Sequence, residues 1–327
     1  MITSKDVANK AGVSVSTVSR VFSNPKMISE KARTKVLKAA EELHYIPNTT
    51  ARNLKMNISN TFGVIVSDSE NPFYLKVVRE FNRLPSNKDI KTLIMFSEED
   101  SEKEYSDIIS LVSSKVQSIM FTPTSESNEK IETLLISNQI PALQLYRKKF
   151  NAIDSLIMDD GYGTYLATKE LIQNGHKNIV LLDYKLSIPT HRDDGYKKAF
   201  QEAGLEYDQK NIIKFSFEDD FYGVIYNLLK NRKHTAYIPT GDKMIHTLCR
   251  CLGDLDLKIK EDVSVIAYDD VTMAKYINLS AVSHPFQEIA STANKIIQNR
   301  IEYPDSKPQE VYLKPFLIKR DSVKNIK

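Results

Sequence analysis

A chain of 327 residues exceeds what one hydrophobic core ordinarily holds, so two or more domains are expected. Its 41% hydrophobic and 27% charged residues fit the globular range, and two cysteines exclude a disulfide scaffold. No run of 18 apolar residues offers a membrane span, and residues 1–6 lack an apolar signal-peptide core, so a cytoplasmic location is expected.

The net charge of +3 is unevenly spread. Residues 1–60 carry ten Lys/Arg against four Asp/Glu, a net of +6, which leaves 35 against 38, a net of −3, for the rest. A basic N-terminal segment on a weakly acidic body suits a polyanion partner for that segment, although a solvated charged surface would give the same count.

In chain order, Thr3 with Asp6 reads as a helix N-cap with an acidic first turn, and Val7, Ala8 and Ala11 give that helix an apolar face. Gly12 suits a positive φ at its end, Val13 plugs the corner, and Ser14 caps a second helix whose inner side is Val18 and Val21. A third helix, 29–44, repeats Ala32, Val36, Leu37, Ala40 and Leu43 at helical spacing and closes a three-helix core. Two short helices joined through Gly make a helix-turn-helix, whose second helix enters the DNA major groove. The DNA-binding candidates there are Val15, Ser16, Thr17, Ser19 and Arg20, with Thr3 beside them. Arg20 can pair bidentately with guanine or hold a phosphate, and Val15 can meet a thymine methyl.

The run KDVANKAGVSVSTVSRVFSNPKMISEKARTKVLKAAEELHYIPNTTARNL closely resembles the headpiece of the lactose-repressor (LacI/GalR) family, through its D-V-A, A-G-V-S, T-V-S-R-V, Y-x-P-N and A-R-x-L elements. The division expected is a helix-turn-helix headpiece over 1–47, a hinge helix or linker over 48–58, and an effector-binding and dimerisation domain over 59–327. Asn48 can cap a short helix over 49–56, too short to be stable alone in water and so able to order on binding. Leu54, flanked by Arg52 and Lys55, has the make-up of a minor-groove wedge or of an ordinary linker. The resemblance favours the wedge, with Leu54 meeting its dimer mate at a central C-G step of a pseudo-palindromic operator.

Beyond residue 60, β-branched runs at 62–66, 92–96, 118–121, 142–145, 179–182, 236–238 and 264–268 alternate with helical stretches such as 73–84, 103–114, 163–174, 192–203 and 286–299. That alternation predicts an α/β body of parallel sheets with helices on both faces and ligands at the carboxyl ends of strands. Two lobes of the periplasmic-binding-protein type are expected, lobe one about 59–159 and 286–318, lobe two about 160–285 and 319–327. Asp68-x-x-Asn71-Pro72-Phe73-Tyr74, Asp159 with Gly163, Ala167, Leu171, Gly175 and His176, Arg192-x-x-Gly195, and Tyr268-Asp269-Asp270 again resemble family motifs.

Arg192 and Asp269 suit a ligand's hydroxyls, and Phe73 and Phe217 suit a sugar face. The resemblance places Arg192, Asp269 and the aromatic near Phe217 in an effector cleft, with Phe215 and Phe221 as competitors for that last place. Asp68 and Asp159 are further candidates, each equally able to cap the following helix. Thr240, Gly241 and Asp242 stand where the family has an N-D pair, Ala267 where Gly precedes Y-D, and Ala281 to Pro285 where T-T-V-x-Q-P is usual. Asp242, a further effector candidate, and His284 therefore face either an unusual ligand or an altered pocket.

The function expected is a dimeric, sequence-specific repressor of carbohydrate uptake or catabolism genes, controlled by a sugar or sugar phosphate. Alternatives are gating by a purine or nucleoside, or by a protein corepressor. A periplasmic-type sugar-binding protein would need a signal peptide and no headpiece. No leucine heptads follow Arg320, so a dimer rather than a tetramer is expected. Scattered histidines and the lack of H-E-x-x-H, Walker or G-x-S-x-G motifs give no grounds for an enzyme, a metal or a cofactor. Cys249 and Cys251, two apart on a helix, read as reduced thiols.

Overall fold

A computed structural model describes residues 2–46, 60–87 and 90–327. Two compact units divide the chain, Met1–Ser59 and Asn60–Lys327. The expected hinge helix 49–56, with Asn48, Arg52, Leu54 and Lys55, lies outside the described residues.

The first unit holds α1 (Ser4–Ala11), α2 (Val15–Ser23) and α3 (Glu30–Glu42). Thr3 and Asp6 form a reciprocal capping box: the Asp6 carboxylate accepts from the Thr3 N–H at 2.8 Å and from its hydroxyl at 2.7 Å. Those bonds hold the Asp6 carboxyl below its ordinary range. Gly12 ends α1 at φ +66°, where its N–H reaches back to Ala8 and Asn9. The core is small, made of Val7, Ala8, Ala11, Val18, Val21, Val36, Ala39 and Ala40. Leu37, expected inside, is 42% exposed. The buried stripe of α3 runs through Val36, Ala39 and Ala40, and Leu37 falls off its side. α3 also ends before His44, which sits at φ +50°, outside right-handed helical geometry.

The second unit contains two six-stranded sheets. The first sheet orders β11-β5-β4-β3-β1-β2: Glu310–Leu313, Asp154–Met158, Ala142–Tyr146, Ser118–Phe121, Thr61–Val66 and Lys91–Phe96, all parallel. The second orders β12-β10-β9-β8-β6-β7: Phe316–Ile318, Ser280–Ser283, Ser264–Tyr268, Ala236–Pro239, Ile179–Tyr184 and Ile212–Phe215. Among the described residues, only β12 runs antiparallel to its neighbour. Helices α4 (Pro72–Arg83), α5 (Ser101–Ser113), α6 (Lys130–Ser137) and α12 (Phe286–Glu302) belong to the first lobe. The second lobe has α7 (Asp160–Gln173), α8 (Arg192–Glu202), α9 (Phe221–Lys230), α10 (Asp242–Asp254) and α11 (Thr272–Tyr276).

Period-2 side chains bury both faces of each sheet. Phe62, Val64 and Val66 of β1 pack with Ile289 and Ala293 of α12, whereas Ile65 points to the opposite core with Ile108 and Leu111. In β6, Val180 and Leu182 face one core, Ile179 and Leu181 the other. The chain returns to the second lobe earlier than expected. Phe316–Ile318 pairs with β10, so the crossover lies between Leu313 and Phe316 rather than after 318. Three crossings join the lobes, near 159, 285 and 315, which is the connectivity of a hinged pair.

Cys249 and Cys251 lie on α10, and burial pushes both thiols up to about 11, so both stay protonated at neutral pH. His176 is structural: its ring meets the Thr235 hydroxyl at 2.8 Å and the Lys324 carbonyl at 3.0 Å, tying down the C-terminal segment.

Candidate functional site

Two surfaces carry the predicted residues, one in each unit. On α2, Val18 and Val21 face inward, while Val15, Ser16, Ser19 and Arg20 are exposed on the opposite side. Val15 is 44% exposed, an apolar side chain in water at the first turn of a helix. Thr17 is half-buried and held by the cap, its hydroxyl 2.8 Å from Ser14 Oγ and its N–H donating to that oxygen at 3.1 Å. Thr3 is exposed but bonded to Asp6, so its hydroxyl serves the cap.

In the second unit, Asp68, Phe73, Arg192, Phe217 and Asp269 line one cleft between the lobes, at the carboxyl ends of β1, β6, β7 and β9. The local sequence explains each placement. Asp68 accepts from the N–H groups of Glu70 and Asn71 at 2.8 and 3.3 Å, and Asn71 caps α4 at Phe73 N, 3.0 Å. Pro72, at the first helical position, needs no N–H there. These bonds point Phe73 into an aromatic wall with Tyr146 (centroids 4.7 Å apart), Tyr74 and Phe286. Burial raises the Asp68 carboxyl despite its two N–H donors.

Arg192 opens α8 on the second lobe. Gly195 lets α8 approach α7 closely: a Cβ there would stand 1.8 Å from the Gly161 carbonyl oxygen. The guanidinium lies 3.0 Å from Asp160 Oδ2 and 3.2 Å from Asp183 Oδ1, and 4.6 Å above the Tyr268 ring. Burial alone would loosen its proton, but the Asp160 and Asp183 carboxylates outweigh burial and hold it well above its ordinary value. Thr240 donates to Asp183 at 2.7 Å, and the Tyr268 hydroxyl donates to Asp160 at 3.0 Å. Asp269 sits at φ +69°, a conformation Asp tolerates better than most residues, with His284 Nε2 at 2.9 Å from its carboxylate.

The three phenylalanines separate cleanly. Phe215 and Phe221 stack on each other inside the core of the second lobe, whereas Phe217 stacks on Tyr184 at 4.8 Å and lines the cleft. Gly241 makes room for Tyr184, because a Cβ there would lie 2.5 Å from its ring. Asp159 does not line the cleft: it caps α7, accepting from Tyr162 N at 2.9 Å, and its neighbour Asp160 faces the cleft instead. Asp242 lines an adjoining opening shared with Asp68 and Phe217, paired to His246 at 3.2 Å. Burial raises its carboxyl, against the pull of His246.

The sequence reading missed Tyr146, Arg147, Asp160, Asp183 and Tyr184. Arg147 pairs with Glu99 at 2.6 Å and donates to the Pro123 carbonyl at 3.1 Å. Four of the five sit within two residues of the end of a predicted strand, at 145 or 182. Naming every residue just beyond each strand would have found them.

No helix among the described residues is long and apolar enough to cross a membrane. Residues 3–48 match the family described as bacterial regulatory proteins, lacI family, and residues 168–323 match a periplasmic binding protein-like domain. The chain is 31% identical to the HTH-type transcriptional repressor PurR of Vibrio atlanticus, over 100% of both chains. It is 30% identical to the ribose operon repressor of Escherichia coli (strain K12), over 98% of this chain and 100% of that one. A solved LacI family transcriptional regulator from Enterococcus faecium, with bound ribose, superposes with a TM-score of 0.71 at 26% identity, covering 82% of this chain and all of that one. With helix-turn-helix, two-lobed body and full-length relatives in agreement, the chain belongs to the lacI family of bacterial regulatory proteins, DNA-binding transcription regulators and not enzymes.

Proposed function

We propose that this regulator represses genes of carbohydrate uptake or catabolism in the cytoplasm, and that a sugar or sugar phosphate held between its lobes controls its grip on an operator. The observation that carries the reading is one cleft gathering Arg192, Asp269 and Phe217 from the second lobe with Phe73 from the first. Charged side chains make the stronger hydrogen bonds to hydroxyls, and aromatic rings cover the apolar face of a pyranose or furanose. The ribose named for the relative of Escherichia coli and bound in the similar structure supports the same class. Asp68 and Asp242, at the rim, complete the proposed effector set.

A purine or nucleoside is the second reading. The flat Tyr184–Phe217 stack favours it, since a base can extend such a stack. A thermal-shift panel of sugars, sugar phosphates and purines decides between the two. A bound ligand at 100 times its Kd adds roughly 2.7 kcal/mol of stability. A response to purines alone overturns the sugar reading.

In the first unit, α2 presents Val15, Ser16, Ser19 and Arg20 to the major groove of a pseudo-palindromic operator, one headpiece per protomer of a dimer. Thr3 and Thr17 add contacts at its edge. Asn48, Arg52, Leu54 and Lys55 form the hinge, with Leu54 wedged at the central C-G step. Leu54→Ala is expected to weaken operator binding strongly while sparing random DNA and the salt slope, whereas Lys55→Ala lowers the slope by about one. Equal losses on operator and random DNA for Leu54→Ala, measured by fluorescence anisotropy, would reduce the hinge to a tether.

A further inference from the structure

The ionisable groups lining the cleft are unbalanced. Four carboxylates, Asp68, Glu99, Asp160 and Asp269, face two guanidiniums, Arg147 and Arg192. Both guanidiniums are already committed, Arg147 to Glu99 at 2.6 Å and Arg192 to Asp160 at 3.0 Å and Asp183 at 3.2 Å. A phosphate dianion entering here would meet net negative charge, and both guanidiniums it could approach are already neutralised by neighbouring carboxylates.

The cleft does hold buried polar atoms without a protein partner: His284 Nδ1, the Tyr146 hydroxyl and Arg192 Nε. His284 is 97% buried, with 3% of its surface exposed, and its ring packs edge-on against Phe73 at 4.9 Å. Its Nε2 faces the Asp269 carboxylate at 2.9 Å, which can only accept, so Nε2 carries the proton. When the ring is neutral Nδ1 is then an acceptor, and His284 lines the cleft beside the aromatic wall. Buried polar atoms without partners are costly, at about 1–3 kcal/mol each, unless a ligand satisfies them.

We propose that the effector is an uncharged polyhydroxyl compound, not a phosphate ester, and that His284 and Tyr146 select it. His284 Nδ1 accepts a hydrogen bond from one ligand hydroxyl and the Tyr146 hydroxyl bonds a second. The proposal rests on the reading of the cleft as the effector site and narrows it. Asp269 holds the imidazole in the tautomer that selection requires.

The test is calorimetry on the full chain with D-ribose, D-glucose, D-fructose and D-galactose, with ribose 5-phosphate and the 6-phosphates of the hexoses, and with hypoxanthine. At least one free sugar is expected to bind, at least 100-fold more tightly than its phosphate ester. His284→Gln places an amide nitrogen near Nε2, so it keeps a donor for Asp269 and loses the Nδ1 acceptor. It is expected to bind that sugar at least tenfold more weakly with an unchanged melting temperature. Tyr146→Phe is expected to weaken binding several-fold. An ester that binds as tightly as its free sugar overturns the proposal and leaves the sugar-or-sugar-phosphate reading standing. Binding of hypoxanthine alone, or of nothing in the panel, overturns both. Wild-type affinity in His284→Gln would leave His284 as a brace for Asp269 and refute its role in selection.

Discussion

The two walls of the cleft differ in chemistry. The first lobe presents rings, with Phe73, Tyr74 and Tyr146 mutually packed at centroid distances of 4.7 to 5.7 Å. The second presents charges, with Arg192 held between Asp160 and Asp183, and Asp269 held by His284. Hydrogen bonds to charged groups contribute about 1.5–3 kcal/mol and are directional, whereas a ring contact adds about 0.5–1.5 kcal/mol beyond its area. The division is one of emphasis, since the first lobe also brings the Arg147–Glu99 pair and Asp68 to the cleft and the second brings the Tyr184–Phe217 stack. Direct bonds already cross the opening: the Ser187 N–H donates to Ser125 Oγ at 2.7 Å, and the Lys76 ammonium donates to the Asp270 carbonyl. A ligand that adds contacts on both walls deepens that closed arrangement, which is how occupancy of the cleft can bias a hinged pair.

Substitutions in the cleft and beside it rank these contributions. The largest effect is expected for Arg192→Ala, which leaves Asp160 and Asp183 without their cation. Losing one partner of a buried pair costs about 3–5 kcal/mol, so the melting temperature should fall and effector binding should vanish in calorimetry. Operator affinity of the folded fraction should be retained. Asp269→Ala comes next, weakening the effector by about 1.5–3 kcal/mol, or roughly 10- to 150-fold, by isothermal titration. Phe217→Ala is expected to cost less, about 0.5–1.5 kcal/mol of affinity, since it removes a stacking surface and no charge. A larger loss for Phe217→Ala than for Asp269→Ala would show that stacking, not the carboxylate, dominates on the second lobe. Smallest for the ligand is Asp159→Ala, which removes an N-cap worth about 1 kcal/mol of stability and should leave effector affinity unchanged.

The headpiece was legible because its information is local. Thr3 with Asp6, Gly12 and Ser14 are each read within three or four residues, and each does in the structure what its spacing implies. Leu37 misled because helical spacing defines a stripe but not its width, and a core of valines and alanines leaves room for a narrow one. In the body, longer apolar runs such as 62–66 stood out, whereas Ile212–Phe215, Ser280–Ser283 and Phe316–Ile318 span only three or four residues each. Misplacing the lobe boundary followed from overlooking the last of these. The cleft was half legible. Arg192, Asp269 and Phe217 came through motif resemblance, but Asp183 and Tyr146 reach the site only because parallel strands end side by side, a non-local fact. Asp159 and Asp160 are adjacent carboxylates, and only the turn into α7 decides which caps and which faces the cleft.

Whether a small molecule in this cleft controls operator affinity through contacts on both lobes is decided by titrating operator DNA into the wild-type chain and into Arg192→Ala, each with and without the sugar that calorimetry identifies. The operator Kd of the wild type is expected to change at least tenfold, and that of Arg192→Ala not at all. A wild-type operator Kd that ignores a sugar bound in the sensor, or a change that persists in Arg192→Ala, would contradict such control.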